Sequence, residues 1–85
     1  MITDNDLKYG QEVYNLLIGS KTAIAASILN KNKIDNEVLL MANKELFDYF
    51  ENEYINAENE EDTNKYLVCS WRCRIEIGKI LNKEY

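Results

Sequence analysis

Apolar residues recur along this chain mostly at intervals of three or four, which is the periodicity of an α-helix. The first such segment follows Thr3, a residue that caps helices well, and begins with acids that suit the first helical turn. Gly19 and Ser20 interrupt the segment, which therefore predicts either two short helices or one bent helix from about Asp4 to Leu29. The alanine-rich stretch after the interruption favours one helix.

The segment EVLLMANKELFDYFENEY, residues 37–54, predicts the most apolar helix of the chain. It follows a polar connection in which Asp35 or Asn36 can cap the new helix. The apolar stripe is wider than two short neighbouring helices would cover, so it requires either central burial or a second chain. We expect self-association, and the predicted subunit interface consists of Leu39, Leu46, Phe47, Phe50 and Ile75, with Trp71 beside them.

The segment CSWRCRIEIGK, residues 69–79, fits two periodicities. Leu67 to Ile77 alternates as a strand would, but no other segment combines such alternation with turn residues to provide a partner strand. As a helix, the segment places five charged residues within an arc of about 60°, which predicts a solvated face. We therefore predict a helix over Thr63–Asn82, capped by Asp62 or Thr63. The five charged residues are Lys65, Arg72, Glu76, Lys79 and Lys83.

These patterns together predict an all-α fold, a small bundle or hairpin of three helices, or four if the first is broken. A chain of 85 residues has room for one core, so residues 1–85 should form a single helical domain. The absence of proline and the presence of only three glycines leave few turn signals for a β-rich alternative.

Arg74 lies opposite the predicted charged face, among apolar positions, and its guanidinium stays protonated. Three interpretations are open. The first is an ion pair with Glu45, Asp48 or an acid of another subunit. The second is a bound anion beside an aromatic ring, and the third is that the side chain reaches solvent at an uncovered edge. The second alternative predicts a nucleotide-like ligand at a subunit boundary. A GSKT sequence lacks the glycines of a phosphate-binding loop but could contact an anion locally. The candidate ligand-binding residues are Arg74, Trp71, Arg72, Lys21 and Thr22.

The net charge of −5 is unevenly distributed, because residues 45–64 carry eight acids and no base. We interpret Asn56–Asn64 as a solvated acidic loop. Such a surface could also imitate a nucleic-acid backbone and bind a protein with a basic surface. The candidate partner-binding residues are Glu58, Glu60, Glu61 and Asp62. Direct binding of nucleic acid is not expected from so acidic a chain.

The chain contains no histidine, which removes the commonest general base and most zinc-site patterns. We therefore expect that the protein is not an enzyme and that it has no catalytic residue, cofactor or metal. Cys69 and Cys73 lie one helical turn apart; two chains could surround a metal with four thiolates, but buried structural thiols are expected. Two cysteines, no signal segment and a longest apolar run of five residues predict a cytoplasmic protein without membrane contact.

The expected function is non-catalytic: an oligomeric interaction or inhibitor protein that binds and occludes a partner. In size, acidity and use of asparagine and lysine, the chain resembles the small accessory proteins of phages and mobile elements, which often inhibit or sequester host factors. This likeness is compositional and rests on no motif. The alternatives are a protein that sequesters a small anionic ligand and an acidic mimic of nucleic acid.

Overall fold

Three α-helices make up the computed structural model, which describes the backbone of residues 1–83 and the side chains of residues 1–82. α1 spans Asp4–Ile28, α2 spans Asn36–Asn56 and α3 spans Glu60–Lys83. Short connections make consecutive helices antiparallel, and each helix packs against the other two in a bundle of 40 × 25 × 19 Å. The predicted all-α fold of three helices is confirmed.

α1 begins and ends as its local sequence dictates. The Thr3 hydroxyl accepts a hydrogen bond from the Asp6 backbone N–H, and the Asp6 carboxylate accepts one from the Thr3 N–H, at 3.1 and 3.0 Å. The helix runs through Gly19 without interruption, so the alternative of two short helices was wrong. It stops where Asn30 adopts a φ of 54° and the N–H of Lys31 reaches back five residues.

The other two helices are capped by polar residues of the connections. The Asp35 carboxylate accepts a hydrogen bond from the Val38 N–H at 3.0 Å, and the Asn59 side-chain oxygen accepts one from the Asp62 N–H at 2.8 Å. The predicted start of the third helix was therefore too late. Three acids that we assigned to a loop occupy its first turn, where free N–H groups favour carboxylates, and the connection is only residues 57–59.

The core lies between the three helices of a single chain. One cluster of buried side chains joins α1, α2 and α3, and a second joins α1 to the first half of α2. Leu46 and Phe50 have no exposed surface, so their assignment to a subunit interface does not hold in this fold. The apolar stripe of α2 is instead buried at the centre of the bundle, which was the other alternative. The first cluster consists of Tyr14, Leu46, Phe50, Cys69 and Cys73, and the second of Ala25, Val38 and Ala42.

α1 and α3 lie close together at Gly10. A β-carbon added there would collide with Cγ1 of Val68 and lie 2.8 Å from its Cβ and 3.3 Å from the Cys69 backbone nitrogen. The Cys69 thiol points at the Gly10 carbonyl oxygen, at 3.6 Å. This contact places the start of α1 beside the first half of α3, so the two helices run in the same direction.

Candidate interaction surface

The charged face predicted for α3 borders α1. The Lys65 ammonium lies 4.4 Å from the centroid of the Tyr9 ring, and the Arg72 guanidinium lies 4.8 Å from that of Tyr14. Glu76 forms an ion pair with Arg72, whose hydrogen bond is the main cause that lowers the pKa of Glu76. A solvated face was therefore the wrong prediction for these half-buried residues, because aromatic rings and a neighbouring carboxylate provide partners for the cations.

The opposite side of α3 faces solvent. Arg74 is exposed, and none of the ion pairs among the described residues includes it, so the expected bond to an acid of α2 is not formed. Trp71 and Ile75 are half-exposed beside it, and the three side chains line a shallow depression of about 410 Å³. Lys79 is exposed as predicted, whereas the side chain of Lys83 lies outside the described residues.

The five candidate ligand-binding residues do not form one site. Only Trp71 and Arg74 are neighbours on the solvent side of α3. Arg72 lies on the α1 side, and Lys21 lines a small notch between α1 and α2. Thr22 is buried, and its hydroxyl donates to the Ile18 carbonyl oxygen of its own helix at 2.6 Å.

A buried hydrogen bond that we did not predict from the sequence joins α1 and α2. The Tyr14 hydroxyl donates to the Asn43 side-chain oxygen at 2.7 Å, and the Asn43 amide donates to the Leu39 carbonyl oxygen at 2.8 Å. Burial raises the pKa of Tyr14 to about 12, so the hydroxyl remains a donor. An asparagine on the apolar stripe of α2 was the available signal, because a buried amide needs partners.

Both cysteines are buried free thiols, as predicted. Burial raises the pKa of Cys69 to about 11 and that of Cys73 to about 12, so both thiols are protonated at neutral pH. Within the part of the chain that the structure describes, no cluster of three or more His, Cys, Asp or Glu side chains could hold a metal ion. The cysteines therefore fill core volume.

One end of the bundle collects acids, because α1 and α3 begin there and α2 ends there. The Asn64 amide donates to the Met1 carbonyl oxygen at 3.0 Å, and a groove of about 720 Å³ runs between the first turns of α1 and α3. The four candidate partner-binding residues are all exposed at this acidic end. Its acids are Asp4, Asp6, Glu53, Glu58, Glu60, Glu61 and Asp62.

Three large aliphatic side chains project from α1 into solvent. Leu16, Ile24 and Ile28 are 79%, 52% and 64% exposed; Ile24 and Ile28 lie one turn apart, and Leu16 lies two turns before Ile24, so the three span an arc of about 120°. We call these three residues the α1 stripe. Of the predicted interface residues, Ile75 is exposed, and Leu39 and Phe47 are half-buried.

The fold defines a small all-α protein, a three-helix bundle. Comparison of the chain with protein-family models, curated proteins and solved structures found no match. No helix in the described part of the chain combines the length and apolar character needed to cross a membrane.

Proposed function

We propose that this chain is a non-catalytic interaction protein, a three-helix module that binds a partner protein along the α1 stripe and occludes the partner's own contacts. The exposure of Leu16, Ile24 and Ile28 carries the proposal, because large apolar side chains exposed together on one helix mark a surface that another molecule covers. Aliphatic side chains on one helix suit a groove or a second helix on the partner.

The polar groups inside the protein support binding over catalysis. Every buried side-chain nitrogen and oxygen in the described residues has a hydrogen-bond partner within the chain. The two thiols are protonated and packed in the core. The groups that could carry chemistry thus hold the helices together. An inhibitor of the phage or mobile-element type would act in the cytoplasm, where its thiols stay reduced.

Substitution of one residue in the stripe tests the proposal against a matched control. Ile28→Lys and Ile55→Lys make the same change at side chains of similar exposure, 64% and 70%, each in the last turn of a helix. The protein is purified from its own cells and the retained partner is measured by native mass spectrometry. We expect Ile28→Lys to lose the partner and Ile55→Lys to keep it; equal retention by both variants contradicts the proposal.

The acidic end offers a second candidate function, binding of a basic protein by imitation of a nucleic-acid backbone. The observation in its favour is that the parallel course of α1 and α3 adds acids of α1 to those already clustered in sequence. Neutralising Glu58, Glu60, Glu61 and Asp62 should release such a partner. A control that neutralises Glu37, Glu45 and Asp48 removes three charges from α2, away from the groove at the acidic end, and should retain it. Release by both variants would indicate a response to net charge alone.

The ligand-sequestering alternative has less support. Trp71 and Arg74 remain together, but the three other residues proposed for the site lie elsewhere. The depression beside Trp71 and Arg74 is open and is lined by a single helix, so it would leave most of a small ligand in solvent.

A further inference from the structure

The solvent side of α3 carries two apolar residues, Leu67 and Trp71, between polar ones at helix-pairing positions. Glu60, Asn64, Leu67, Trp71 and Arg74 follow one another at steps of four, three, four and three, which keeps them within an arc of about 80°. This average of 3.5 residues is the repeat by which two long helices stay in contact. We call these five residues the α3 seam.

Glu60 and Asn64 border the start of α1, whereas no other helix covers the second half of the seam. The depression beside Trp71, Arg74 and Ile75 is lined by residues of α3 alone. Gly78 continues the seam, and a β-carbon added there would meet nothing within 4 Å. A glycine inside a helix costs about 1 kcal/mol relative to alanine, and no neighbour in the same chain requires it here.

The two exposed charges of the seam have opposite signs and lie two heptads apart. The Glu60 side chain is 78% exposed, and its only ion pair among the described residues is an exposed one with the Met1 amino group. Arg74 lies 14 residues further along, about 21 Å up the helix axis at 1.5 Å per residue. Neither charge is held by the core.

We propose that two copies of this chain associate through the α3 seam in antiparallel orientation, with Glu60 of each copy paired to Arg74 of the other. The twofold axis then passes at Leu67, midway between the two charges, and Trp71 of each copy lies at the level of Thr63 of the other, next to Asn64. Parallel association would instead place Glu60 against Glu60 and Arg74 against Arg74. Charge complementarity therefore favours a second copy of this chain as the partner and the antiparallel orientation of the two α3 helices.

The same register gives Gly78 a role. In an antiparallel pair centred on Leu67, Gly78 lies about 6 Å beyond the start of α3 of the other copy, on the side of the connection of residues 57–59. A hydrogen atom in place of a side chain leaves space for that backbone. The inference rests on the proposed function only in treating the chain as an interaction protein, since the α1 stripe is a separate surface.

Sedimentation equilibrium of the full chain over a range of concentrations tests the pairing. We expect Arg74→Glu and Glu60→Arg each to raise the dimer dissociation constant at least tenfold, because each puts like charges together at both ends of the seam. The double variant should restore the wild-type constant. Lys44→Glu, which makes the same change of charge on the exposed side of α2, should leave it unchanged.

Three results would overturn the pairing: a wild-type protein that is monomeric throughout, a double variant that dimerises as poorly as the single ones, or an equal loss in Lys44→Glu. Circular dichroism establishes that each variant is folded before its constant is compared. The proposed function is measured separately, because Ile28→Lys should lose the partner and still dimerise. Loss of dimerisation in Arg74→Glu with full partner binding would support two independent surfaces.

Discussion

Gly10→Ala should destabilise this protein although alanine is the better helix former. In an exposed helix position, alanine in place of glycine stabilises by about 1 kcal/mol. At Gly10, the new methyl group would collide with Val68, a β-branched residue that is 7% exposed and has no flexible end to move aside. Overpacking of this kind costs about 1–3 kcal/mol. We expect the upper end of that range, hence a net loss of about 2 kcal/mol.

Gly19→Ala is the matched control, since both glycines lie inside α1. A β-carbon at Gly19 meets nothing within 4 Å, so the full gain of about 1 kcal/mol should appear. The two variants thus differ by about 3 kcal/mol although the chemical change is the same. Urea unfolding followed by far-UV circular dichroism, at one fixed protein concentration, measures both free energies.

A double variant assigns the cause. If the collision with Val68 is responsible, Gly10→Ala combined with Val68→Ala should be less destabilised than the sum of the two single losses. A Gly10→Ala protein as stable as Gly19→Ala would refute the close approach of α1 and α3. Simple additivity in the double variant would place the strain at the Cys69 backbone instead.

Three further predictions follow from the buried groups and the helix cap. Tyr14→Phe removes the donor to a buried amide oxygen of α2 and should lower the free energy of unfolding in urea by about 1–3 kcal/mol. Cys69 and Cys73, whose pKa values burial raises, should react with a thiol reagent at pH 8 only as fast as the chain opens. The pKa of Asp35 is lowered, first by the hydrogen bond from Lys31, so its stabilisation is complete above pH 3.8 and is lost as the pH falls through the folded-state pKa. Urea unfolding between pH 2 and pH 7 should show this loss, and Asp35→Asn should reduce it.

Each of these outcomes has a comparison that can contradict it. Tyr49→Phe changes an exposed tyrosine and should stay within about 0.5 kcal/mol of the wild type, so an equal loss in both tyrosine variants refutes the buried bond. Thiol labelling as fast in the folded protein as in guanidinium would show that the cysteines are accessible. An identical pH dependence of stability in wild type and Asp35→Asn would show that the Asp35 cap does not cause the loss of stability at low pH.

The helices and most of their ends were predictable because the information is local. Thr3 and Asp35 cap the residues that immediately follow them, and three- and four-residue spacing indicates helix without knowledge of any neighbour. The start of α3 was misplaced because Asn59 and the acids after it resemble a loop in composition. Their N-terminal position in a helix, where carboxylates are favoured, distinguishes the two interpretations.

The orientation of α3 could not be read from its periodicity. Two sides of α3 carry both charged and apolar residues. The periodicity places each residue on the correct side but does not say which side packs inward. The rings of Tyr9 and Tyr14 favour the observed orientation, because they contact the cations of Lys65 and Arg72 at the boundary with α1. Arg74 consequently faces solvent.

The sequence by itself determined the helical class, the positions of the helical segments, the Thr3 cap of α1 and the clustering of acids in the second half of the chain. Only the tertiary structure decided what each helix face meets: burial of Leu46 and Phe50 within one chain, separation of the proposed anion site, and exposure of the α1 stripe and the α3 seam. The physical reason is range. Backbone hydrogen bonds and caps act within a few residues, whereas burial depends on residues that are distant in sequence and brought together by packing.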